Sequence, residues 1–300
     1  MKNNETVLLK GINMKPWFLL TPVIIMFSIF VFWPLMYTFY LSFFEWNMIS
    51  PTKTFVGIDN YIAILTDPTT YKIFLNTLLY IGVLLLINLL IPYIFAFVLH
   101  LVINRFKGFY KTAIFLPSFI SLVVGSVLFT WILNPVSGPI AEIAGWMGIQ
   151  LPIWSQTEGL VIVVISLITS WKVFGYNFIM LFASISGISE EIIEAARLDG
   201  VPLHRIFLDI ILPMSSASGV YILILTIVQG LQFVYTPISV ITQGGPNYAS
   251  SNLIYQSFNE GFILYRTGHS AALSILTLLV FAVLLLAEFK FVEKGVHYEN

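Results

Sequence analysis

Six stretches of this sequence run past twenty residues with little or no charge: Trp17–Phe44, Ile73–Ile103, Thr112–Leu133, Gly159–Ile185, Ile210–Tyr235 and Ser270–Phe291. About twenty apolar residues carry an α-helix across a bilayer. Backbone groups facing lipid must be bonded internally, so only helices and closed barrels span it. The runs do not alternate as barrel strands do. The pattern predicts an all-α polytopic membrane protein with six transmembrane helices. Its expected parts are a tail over 1–16, a transmembrane domain over 17–291 containing a polar loop at 186–209, and a second tail over 292–300. The first stretch is too long for the apolar core of a signal peptide, and no small-residue cleavage site follows Phe44, so it reads as an uncleaved span.

Composition supports this class. Only 10% of residues are charged, against about 25% in soluble domains. The net charge of −1 gives no basic signature for nucleic acid. Cysteine is absent, which excludes disulfides and thiolate chemistry. His100, His204, His269 and His297 show no metal-ligand spacing. Neither a cofactor, a catalytic group nor a metal is expected.

Lysine and arginine orient the chain. Lys2, Lys10, Lys15, Arg105, Lys107, Lys111, Arg197, Arg205, Lys290 and Lys294 all fall on one side of a six-span model. The other side holds Lys53, Lys72 and Arg266, and Lys172 lies within the fourth stretch. The positive-inside rule places both termini in the cytoplasm.

The loop after the fourth stretch has a local logic. Ser189 is suited to an N-cap. Glu190 and Glu191 follow in the first turn, where they complement the helix dipole. Ile192, Ile193 and Ala196 supply an apolar side, and the small Ala195 and Ala196 permit close approach. Gly200 suits a left-handed helix end, and Pro202 the first turn of a second short helix. A helix–turn–helix at the membrane face is the expected result, its small and apolar side free for a partner.

In this loop Glu194, Ala195, Ala196 and Gly200 are followed, after nine residues, by Ile210, Leu212 and Pro213. The pattern resembles the ATPase-coupling loop of ABC importer permeases, most of all the carbohydrate-uptake group with its maltose-type and glycerol-phosphate-type members. Phe115-Leu116-Pro117 with Ser121, Trp171 and Asn177, and Gly244-Gly245-Pro246 extend the likeness. The resemblance implies a permease subunit of the bacterial cytoplasmic membrane. Its implied partners are separate ATP-binding cassette ATPase subunits, a second six-span permease and an extracytoplasmic solute-binding protein. The implied cargo is a sugar or sugar-like solute, with glycerol phosphate or a polyol as the alternative. The chain has no phosphate-binding Gly-x-x-x-x-Gly-Lys loop of its own.

Polar residues within spans are expensive and mark paths or helix contacts. On a helical projection Ser215, Ser218, Thr226, Gln229, Gln232 and Thr236 share one face of the fifth span. Ser166, Ser170, Asn177 and Ser184 form a stripe on the fourth. Two readings stand for them, a solute path and helix–helix packing. Lys172 points about 140° from the second stripe; it either meets an anionic group or bonds helix carbonyls. Trp46, Trp146 and Trp154 read as interfacial anchors. The rival function, an ion-coupled secondary transporter, calls for an intramembrane carboxylate or ion site. Asp and Glu lie only in loops and span ends here. A membrane-embedded enzyme calls for a catalytic cluster that the stretches lack.

Overall fold

Among the described residues, five long helices and one bent pair are long and apolar. They are α1 (Leu19–Leu41), α3 (Pro68–Leu101), α7 (Leu160–Ser186), α10 (Ser216–Thr242) and α12 (Thr267–Glu288), each long and apolar enough to cross a membrane. The computed structural model describes residues 16–103 and 105–292. Lys2, Lys10, Lys15, Lys294 and His297 lie outside the described residues.

The third expected span is not straight. It comprises α4 (Lys107–Phe119) and α5 (Leu122–Ile132), which meet at an angle of 101°. Leu116–Phe119 closes α4 as a 3-10 turn containing Pro117, and Ile120 and Ser121 are extended, with ψ of 139° and 133°. The count is therefore six spans only if the bent pair is one of them. The fifth span also starts later than its apolar run. Residues 203–214 form a separate short helix, α9, and Ser215, at φ −97° and ψ 10°, breaks it from α10.

Short elements fill the connections. A two-strand ladder pairs β1 (Phe44–Glu45) with β2 (Thr54–Phe55), and α2 (Asp59–Thr66) follows it. After α5 comes α6 (Pro139–Trp146); α8 (Glu190–Leu198) follows α7, and α11 (Leu253–Phe258) precedes α12. At the centre, α7 packs on α3, on α10 and on both halves of the bent element. Tyr80, Leu84, Ile165, Ile168, Leu231 and Val234 form the core where these helices cross. A second core, with Phe97, Phe178, Leu181 and Ile185, continues to α8. By contrast, none of the most apolar part of α1 is buried by the described residues.

Three helical stretches pass through a π turn just before a proline. Ser28–Phe32 ends two residues before Pro34, Leu86–Leu90 two before Pro92, and Ile206–Ile211 two before Pro213. Proline has no N–H for the carbonyl four residues back, and a π turn is one way the ladder accommodates that loss.

Candidate functional site

Helix α8 is built as its sequence dictates and docked by part of its surface. The Ser189 hydroxyl accepts from Glu191 N at 3.3 Å. Gly200, at φ +73°, reverses the chain, and Val201 N donates back to Ala196 O at 3.0 Å. Ile193 and Ala196 are buried against Phe97, Ile185 and Ile206. Arg197 Nη2 donates to Leu101 O at 2.9 Å, so α8 also caps the end of α3. Of the side expected to be free, Ile193 and Ala196 are thus occupied within the chain, while Ile192 and Ala195 stay exposed. The open face instead carries Glu191, Glu194, Ala195 and Leu198, the last 88% exposed. Those positions follow the i, i+3, i+4, i+7 spacing of one helix face. Pro202 stands at the N-cap of α9, one position before the first turn expected for it. Leu212 is exposed and Pro213 half-buried, next to the break before α10.

The six candidate path residues do not form one site. Ser170, Asn177 and Thr226 come together, each at most 2% exposed. They meet around Asn88, which sequence reasoning missed. Pro92 has no N–H to offer the Asn88 carbonyl, and Asn177 Nδ2 donates to it at 2.7 Å. Asn88 Nδ2 donates to Ser170 Oγ at 2.8 Å, and Asn177 Nδ2 lies 3.4 Å from Thr226 Oγ1. These bonds join α3, α7 and α10, each worth about 0.6 kcal/mol in a membrane. A lone Asn four residues before a proline, in an otherwise apolar run, was the available signal. Gln229 and Gln232 instead face outward from α10. A step of 60° around the helix separates Thr226, turned onto α7, from this surface. Tyr221 of α10 and Tyr176 of α7 are exposed as well.

Lys172 resolves to carbonyl binding. Its Nζ donates to Ser118 O and Ile120 O, both at 2.8 Å, at the break between α4 and α5.

A charged cluster at the end of the bundle opposite α8 was also missed, because its members come from separate turns with no motif spacing. Glu260 is buried and pairs with Arg266 at 2.7 Å. Gln256 Nε2 donates to it at 2.9 Å, and His269 Nδ1 lies 3.4 Å away. Burial pushes the Glu260 carboxyl up; His269, Arg266 and Gln256 together outweigh burial and hold it below its ordinary 4.5. A carboxyl with a depressed folded value stabilises the fold above its unfolded value and loses that contribution as pH falls through the folded one. Thermal unfolding in detergent between pH 7 and pH 4 is therefore expected to show a loss of stability below about 4.5. Glu260→Gln is expected to flatten that loss; an unchanged acid limb in the variant would show that Glu260 does not contribute.

The comparisons agree with this architecture. No family model matches the chain. The sn-glycerol-3-phosphate transport system permease protein UgpA of Agrobacterium fabrum is 30% identical over 284 residues, covering 94% of this chain and 96% of that protein. The probable ABC transporter permease protein YurN of Bacillus subtilis is 29% identical, covering 93% and 96%. Among solved structures, a chain of a bacterial ABC transporter involved in import of the acidic polysaccharide alginate superposes with a TM-score of 0.80. It is 21% identical and covers 93% of this chain and 94% of that one. With one fold over nearly the full length and 30% identity to a curated relative, this chain belongs to the family of ABC transport-system permeases.

Proposed function

We propose that this chain is one of two permease subunits of an ATP-driven importer for a sugar or sugar-like solute, with α8 as its contact to an ATPase subunit. The observation that carries the reading is the open face of α8. Glu191, Glu194, Ala195 and Leu198 stand exposed on a helix otherwise anchored by Ile193, Ala196 and Arg197. Such a face, rigidly held at the end of a span, suits docking in a partner's groove. The distribution of basic residues supports both termini and α8 on the cytoplasmic side of a bacterial membrane. In this reading the coupling residues are Glu194, Ala195, Ala196, Gly200, Leu212 and Pro213. Ala196 and the buried side of α8 transmit force, while Glu194 and Ala195 make the contact.

The solute path then lies between this chain and a second permease, along the outward face with Tyr176, Tyr221, Gln229 and Gln232. Amides and phenols bond hydroxyl groups. Ser170, Asn177 and Thr226 hold helices together behind that face. Relatives support the solute class: UgpA is named for sn-glycerol 3-phosphate, and an alginate importer has been solved with an oligosaccharide-bound periplasmic protein. An external binding protein delivering the solute fits this picture.

A chain without a phosphate loop is expected neither to bind nor to hydrolyse ATP alone. Photo-crosslinking with an azido-ATP analogue is expected to label the ATPase subunit of the assembled complex and leave this chain unlabelled. ATP-driven uptake by this chain without an ATPase subunit would overturn the proposal.

A further inference from the structure

Neighbouring positions on α7 grip the bent element from Ile114 to Phe129. Trp171 lies against Gly125 of α5, where a Cβ would meet its ring at 3.1 Å, and packs edge-on to Phe129 at 5.2 Å. Lys172 bonds the Ser118 and Ile120 carbonyls at the break, and Ser118 Oγ donates back to Lys172 O at 3.0 Å. Gly175 admits α4 so closely that a Cβ would lie 2.5 Å from Ile114 O and 2.8 Å from Phe115 Cα. The first half, the break and the second half are thus each fixed to about one turn of α7. A break at membrane depth leaves carbonyls without helical partners, and the ammonium supplies two donors there.

Helix α7 is also suited to carrying displacement. It runs for 27 residues as regular α-helix with no proline. The helices beside it, α3 and α10, each contain a π turn, at Leu86–Leu90 and Ile238–Thr242. Lys172 stands fourteen residues before Ser186, about 21 Å along the axis at 1.5 Å per residue. Four residues later α8 begins.

We propose that Lys172 is a positioning residue whose ammonium makes the break in the bent element move with α7, so that displacement of α8 reaches residues 116–120. Leu116 and Phe119, 59% and 76% exposed, are the side chains this motion shifts. The inference rests on the reading of α8 as the ATPase contact. It takes Lys172 out of direct solute binding, because its ammonium is already engaged by the two carbonyls.

This chain has no cysteine of its own to compete for label. In the assembled transporter, spin labels on cysteines placed at Phe119 and Leu286 are read by pulsed electron resonance, without nucleotide and with MgATP plus vanadate. The nucleotide is expected to change the distance in the parent protein. K172M is expected to keep ATP hydrolysis while shrinking the distance change by about twofold or more, and K172R, which keeps the donors, to restore it. Full-amplitude change in K172M would overturn the proposal. Should K172M fail to assemble, K172Q, which removes the ammonium, decides: unchanged amplitude overturns it, and a reduced amplitude supports it. Failure of the α8 reading is separately visible, as E194K would then leave both ATP hydrolysis and the distance change intact.

Discussion

Replacing Gly200 with valine is expected to abolish uptake while leaving the protein in the membrane. Gly200 has φ +73° and open space where a Cβ would project. The obstacle is therefore conformational rather than steric crowding by neighbours. A β-branched residue in the left-handed region costs about 1–3 kcal/mol, and the cheapest escape is to unwind the end of α8. That would break the Val201-to-Ala196 bond and tilt the face bearing Glu194 and Leu198. Asparagine tolerates this region, so Gly200→Asn is expected to retain most uptake. Glu194→Lys leaves the backbone alone and reverses a charge at the proposed contact; inverting one partner of a desolvated charged contact costs about 2–5 kcal/mol. Membrane level, ATPase co-purification and uptake are the measurements. Wild-type uptake in both Gly200→Val and Glu194→Lys would remove α8 from coupling.

The second large effect lies at the other end of the bundle. Gly268→Ala is expected to destabilise the chain severely, because the added methyl would overlap the backbone carbonyl of Phe44. Little there is free to yield. Thr267 N donates to Trp46 O at 2.9 Å, and Asn60 Nδ2 binds Ser42 O at 2.8 Å and Phe44 O at 3.1 Å. The first turn of α12 is thus pinned to the strand it would have to leave. Overpacking costs about 1–3 kcal/mol and occasionally more, and a backbone obstacle puts this site at the upper end, a large share of a stability of about 5–15 kcal/mol. Lower membrane levels and a melting point several degrees down in detergent are expected. A variant that melts with the parent would show that α12 can slide off β1 at no cost.

The spans were legible in the sequence because length and hydropathy alone fix them. The break between α4 and α5 was not. Pro22, Pro34, Pro92 and Pro237 all lie inside helices that continue past them, so Pro117 by itself does not announce a 101° bend. What permits the bend comes from some fifty residues away, in the donor of Lys172 and the missing side chain of Gly175. The helical projection of α10 places Thr226 and Gln232 each within about 60° of Gln229. It had no means of showing where α7 would press, and that contact divides the group. In α8 the cap, the acidic first turn and the Gly200 reversal are local and readable. Which part of that side would be covered depended on Phe97, far back in the sequence, and on how the turn at Gly200 lays Ile206 against it, and so was only half read.

The exposure of α1 has an evolutionary consequence. None of its most apolar part is buried by the described residues of this chain, so no packed core among them rewards one side-chain shape over another along Leu19–Phe32. Exchanges among leucine, isoleucine, valine, phenylalanine and methionine there preserve transfer into lipid and disturb no packed neighbour. Selection from within this chain therefore acts on that segment's oiliness and length, whereas on α7 it acts residue by residue.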